Sequence, residues 1–89
     1  MRAIITVIGP DRVGIIAEIC TLLAKFNVNV IDLNQTIMEN FFTMTVLVNI
    51  GEANVPFDTI RDALIAKGEE MGLSIRIQRE DIFTAMHQI

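Results

Sequence analysis

One cysteine, one histidine, two prolines and neither tryptophan nor tyrosine occur in the 89 residues. A single cysteine excludes an intramolecular disulfide framework and any zinc site built from several thiolates. Cys20 falls inside a helical pattern, close to Ile16 and Leu23, where a small buried hydrophobe is the expected role. His87 lies in the final segment, so no Ser/His/Asp or Cys/His set can be assembled around it, and a general base or metal ligand is not expected there. Basic residues are few, 7 Lys and Arg against 11 Asp and Glu, for a net charge of −4. They are scattered and carry no aromatic ladder, which argues against a nucleic-acid surface, since phosphate contacts need clustered Lys and Arg. No apolar run is long enough to span a bilayer. Strand residues begin almost at Met1, so no signal peptide is expected. The composition predicts a soluble cytoplasmic protein without cofactor or metal.

What the chain does have is a core: 52% of its residues are hydrophobic and 20% charged, in a length that suits one domain. The sequence is organised around Gly9–Cys20. Before that stretch lies Ala3-Ile4-Ile5-Thr6-Val7-Ile8, a β-branched run suited to a buried strand. After it Ile15, Ile19, Leu22 and Phe26 recur at helical spacing. Gly9-Pro10 reads as the breaker between strand and helix, and Asp11 as the N-cap. Backbone N–H groups near Val13, Gly14 and Ile15 then have no intrahelical acceptor, and such a terminus favours an anion. Gly14 costs helix propensity where it stands, so either a ligand or a neighbouring strand is expected to approach its backbone.

The rest of the pattern predicts strands over 2–8, 28–38, 41–50 and 73–79, with helices over 12–26 and 56–72. Val28 and Val30 are out of phase with Ile31, Leu33 and Ile37, which predicts a bulge near Ile31. Glu39-Asn40 predicts a tight hairpin. In the third strand Phe42, Met44, Val46, Val48 and Ile50 are expected inward, and Met38, Met44, Met71 and Met86 as core filling. The order is β-α-β-β-α-β, an α+β ferredoxin-like fold with strand order 4-1-3-2 in an antiparallel sheet and both helices on one face. Residues 1–80 form the domain. In 81–89, Ile82, Phe83, Met86 and Ile89 recur at helical spacing and predict a short helix packed on the same domain or on a neighbour.

The turn Asp11-Arg12-Val13-Gly14-Ile15, followed by Asn29-Val30-Ile31-Asp32, resembles the ACT domain family, and the Asp32–Thr36 and Phe41–Met44 segments look like its small stand-alone bacterial members. The resemblance implies a regulatory, non-catalytic module that binds a small ligand, typically an amino acid, at a subunit interface. It implies ligand contacts at Asp11, Arg12, Val13, Gly14 and Ile15 and at Asn29, Val30, Asp32 and Asn34. The helix N-terminus can take a carboxylate, and Asp32 or Asn34, from the same or a partner subunit, can accept from an ammonium. Plain structural roles stand beside these: Asp11 as a cap, Arg12 as a surface side chain, Asp32 and Asn34 as solvated residues of an edge strand. Acylphosphatase-like and metallochaperone-like alternatives of the same topology lack, respectively, a catalytic asparagine arrangement and a Cys-x-x-Cys pair here. Residues 28–38 contain no Lys, Arg or Pro, so an unguarded edge there predicts a homo-oligomer, a dimer foremost. The alternative to ligand sensing is an assembly module without a small-molecule ligand.

Overall fold

The computed structural model describes residues 1–10 and 13–80. Its elements are β1 (Arg2–Pro10), α1 (Ile15–Lys25), β2 (Asn29–Met38), β3 (Phe41–Asn49), α2 (Phe57–Met71) and β4 (Ser74–Arg79). The strands form one sheet in the order β2-β3-β1-β4, antiparallel throughout. This is the ferredoxin-like arrangement expected from the sequence. Strand β1 lies between β3 and β4 and sends Ala3, Ile5 and Val7 to the core. Phe42, Met44, Val46 and Val48 of β3 join them, with Ile15, Ile19 and Leu23 of α1 and Ile60, Leu64 and Met71 of α2. Both helices therefore cover one face of the sheet. Each fully buried Ile or Leu in that layer contributes about 1.5–3 kcal/mol.

Both helices end as their sequences suggest. Asn27 at φ 58° and Gly72 at φ 73° take the left-handed conformation just past α1 and α2. The Val28 N–H donates to the Leu23 carbonyl at 2.9 Å and the Leu73 N–H to that of Gly68 at 2.7 Å, closing each last turn. Asn27 Nδ2 donates to the Glu52 carbonyl and Asn54 Nδ2 to that of Lys25, which ties the loop after β3 to the end of α1. The expected bulge is present, since the β2–β3 register shifts between Val30 and Asp32. Glu39 and Asn40, both at positive φ, make the hairpin.

Four expectations need correction. Gly9-Pro10 does not break β1: Gly9 pairs with Phe42 and Pro10 with Phe41. The last β1–β4 pair is Ile8 with Ser74, so Pro10 has a neighbour on one side only and its missing N–H costs no bond to β4. Helix α1 starts at Ile15, not at Arg12, and Gly14 rather than Asp11 holds the cap position. Met38 is 69% exposed and fills no core, because its phase on β2 points away from the helices. Cys20 is half-buried rather than enclosed. The helix expected over 81–89 lies outside the described residues, as do Asp11 and Arg12.

Candidate functional site

The turn between β1 and α1 carries the strongest functional signal, and its shape follows from one residue. Gly14 has φ 90° and ψ 2°, a left-handed conformation that side chains disfavour, and its carbonyl accepts the first intrahelical bond, from the Glu18 N–H at 2.9 Å. The N–H groups of Ile15, Ile16 and Ala17 precede that bond and have no acceptor within the helix. Among the described residues no side chain caps them. They are the donors an anion would meet, two residues later than the sequence suggests, with the positive end of the helix dipole behind them.

No described atom lies within 4 Å of a Cβ built on Gly14. Close strand packing is therefore not why glycine stands there; the backbone conformation is. We expect Gly14→Ala to lower the unfolding free energy by about 1–2 kcal/mol, the left-handed cost of an L-residue, and Gly14→Asn to lower it less. Urea denaturation measures both, and an alanine variant as stable as the parent would contradict the assignment.

Beside the helix terminus is an open cavity of about 450 Å³, lined by Gly14, Ile15, Ile16, Ala17, Gln35, Ile37 and Phe42. Its β2 wall arises from register. Gln35 opposes Met44 and Ile37 opposes Phe42, and both partners point into the core, so Gln35 and Ile37 face the helix side of the sheet. The cavity is mostly apolar, with Gln35 as its polar side chain. Val13, at 97% exposure, is the outermost described residue of the turn.

Asn29, Val30, Asp32 and Asn34 lie elsewhere. β1 ends and β3 begins beside the turn, so the β2 residues nearest to it are at the end of that strand, around Met38. Asn29 pairs with Asn49 at the opposite end of the sheet, about 20 Å from Gln35 at the usual strand rise. Asp32 opposes Leu47 and Asn34 opposes Thr45, which puts both on the face away from the helices. There Asp32 Oδ1 accepts from the Leu33 N–H at 2.9 Å, and Oδ2 from Asn34 Nδ2 at 3.5 Å. Within one subunit the two groups of expected site residues are thus not brought together. A larger open cavity of about 740 Å³ lies at the Asn29 end, with Asn27, Asn49 and Glu52 in its lining.

The residues of the cavity beside α1 that the sequence did not point to are Ala17, Gln35, Ile37 and Phe42. Gln35 had a visible signal: it is the polar residue in the otherwise apolar phase of Leu33 and Ile37. Strand β2 is exposed along its whole length except at half-buried Leu33, and among the described residues no strand pairs with its outer side. Ile31 and Ile37 are 46% and 54% exposed on this free edge.

Comparison with known proteins agrees with this architecture. The model of the ACT domain family matches residues 2–78. A UPF0237 protein of Listeria innocua is 47% identical over 89 residues, covering all of both chains. An ACT domain protein from Streptococcus pneumoniae superposes with a TM-score of 0.81 at 35% identity, covering 93% of each chain. A formyltetrahydrofolate deformylase from Pseudomonas syringae pv. tomato has a TM-score of 0.79 at 26% identity. There the match spans 88% of this chain and 27% of the deformylase, so a similar unit forms part of a longer protein.

Proposed function

The chain belongs to the ACT domain family, and from that premise we propose that it is a non-catalytic regulatory module binding an amino acid between two copies of itself. ACT domains are regulatory modules that bind small-molecule ligands. One observation carries the extension to a dimer site: the β2 wall of the cavity beside α1 belongs to a free sheet edge. Antiparallel pairing of β2 with a second β2 about a two-fold axis runs the partner strand in the opposite direction. The partner's Val30 then lies near Ile37 and the α1 terminus on the helix face, while its Asn29, opposite Asn49, joins Asp32 and Asn34 on the other face.

In the proposed site the ligand carboxylate sits on the N–H groups of Ile15, Ile16 and Ala17, where the Asp11–Ile15 turn enters α1. Its ammonium donates to the Gln35 side-chain carbonyl. Asp32 and Asn34, on the other face, line the seam between the paired strands. A second proposal, assembly without a small-molecule ligand, draws on the same exposed edge, since Ile31 and Ile37 would favour pairing with no ligand present.

A thermal-shift screen of the common amino acids separates the two. A ligand held only by the folded protein stabilises it by about 2.7 kcal/mol at a hundredfold excess over Kd, a rise of several degrees in Tm for a domain of this size. We expect such a rise for one amino acid or a few chemically related ones. A flat response across the panel would favour the assembly module.

A further inference from the structure

The face of the sheet opposite the helices is mixed: Thr6, Thr43, Thr45 and Arg76 share it with several large apolar side chains. Ile4 and Leu47 lie side by side on it, half-buried, while Ile8 and Phe41 are 39% and 52% exposed. A sheet is stable when each apolar face meets another layer, and a patch of this kind marks an interaction surface. We propose that residues 81–89 of the same chain form that layer, as an amphipathic helix lying on Ile4, Leu47 and Ile8.

Three observations fix the occupant. First, β4 ends at Arg79 opposite Ala3, one residue from the Ile4–Leu47 pair, so the segment starts beside the surface it covers. Second, Glu80 has left the strand with a helical backbone, and its carboxylate bonds Arg2 at 2.9 Å. Arg2 shares the phase of Ile4 on β1, so this ion pair draws the exit of β4 toward the open face rather than toward the helices. Third, Ile82, Phe83, Met86 and Ile89 fall within a stripe about 120° wide on a helix of 100° per residue. Asp81, Thr84 and Gln88 fall outside it.

Length sets the extent of the cover. Nine helical residues span about 13–14 Å, the rise of about four strand residues. Starting at the Ala3 row, the helix reaches the Val7 row, over Ile4 and Leu47 and up to the edge of Ile8, and stops short of Phe41, which pairs with Pro10 at the far end. Phe41 and Met38 therefore stay uncovered by this segment.

Nuclear Overhauser contacts in the full chain, recorded on a mixture of isotope-labelled and unlabelled protomers, give the direct test. Contacts of the Phe83 ring with the Ile4 and Leu47 methyl groups within one protomer are expected. Their absence, or contacts only between protomers, would overturn the proposal. Independently, Phe83→Asp should lower Tm by several degrees and raise the fluorescence of a hydrophobic dye. Thr84→Asp, on the outer side of the helix, should leave both readings unchanged. A Phe83→Asp variant identical to the parent in both would also overturn it.

Discussion

Gly68→Ala is expected to destabilise the protein, although alanine is the better helix former. In an exposed helix interior that exchange gains about 1 kcal/mol. Gly68, however, continues the buried stripe of Ile60 and Leu64 and faces the chain as it turns into β4. A Cβ at this position would stand 2.8 Å from the Leu73 carbonyl oxygen and 3.1 Å from Ile75 Cγ1. The nearer obstacle is backbone, and it cannot rotate away. It is also held in place, because the Leu73 N–H bonds the Gly68 carbonyl and Leu73 itself is buried. Relief requires the end of α2 to lift from β4, and overpacking of this kind costs about 1–3 kcal/mol. Against rigid backbone the clash outweighs the propensity gain, and a net loss of up to about 2 kcal/mol follows. Gly68→Val should lose more, since it adds β-branching to the same contact. The urea midpoint should fall with an unchanged m-value. A stabilised alanine variant would mean that α2 is not seated on β4 as described.

That contact was invisible in the sequence, where Gly68 interrupts a helical pattern without a stated reason. The strands were legible because their inward phase is carried by β-branched and large apolar residues, as in Val46 and Val48. Phase also exposed the bulge at Ile31, and residue type exposed the chain reversals at Asn27 and Gly72. The start of α1 was less legible. Asp11 is a good cap by type, but the left-handed conformation of Gly14 delays the helix to Ile15. Pro10 looks like a breaker unless the extent of β4 is known. For the candidate site, the turn was found from its own residues. Its walls were not, since Gln35, Ile37 and Phe42 reach it through register. The separation of Asn29 from the turn follows from topology, in which the start of β2 and the start of α1 belong to opposite ends of the sheet. A motif read as two neighbouring pieces therefore became, in space, two halves that one subunit cannot close.

The double variant Ile31→Lys, Ile37→Lys is expected to convert the proposed dimer to a monomer while leaving the fold intact. Both side chains are about half exposed on the free edge, so little of the core depends on them. Half-buried Leu33 is left in place. Lysine is a residue with which natural edge strands avoid pairing, and β2 has none. Under two-fold symmetry each substitution occurs twice along one seam, so four ammonium groups are crowded where apolar side chains met. Like charges juxtaposed at an interface cost several kcal/mol, and every 1.4 kcal/mol is about tenfold in Kd. A loss of at least about a hundredfold in dimer affinity follows. Light scattering should return a mass near the 9.9 kDa of one chain instead of twice that value, with the circular dichroism spectrum preserved. The single variant Ile31→Lys, which leaves the Ile37 wall of the cavity intact, separates the edge from the site. If the ligand requires the partner's Val30, any amino-acid-induced rise in Tm should vanish together with the dimer. Dissociation with the thermal shift retained would place the whole binding site within one chain, against the turn and Gln35 alone. An unchanged mass would move the interface away from β2 altogether.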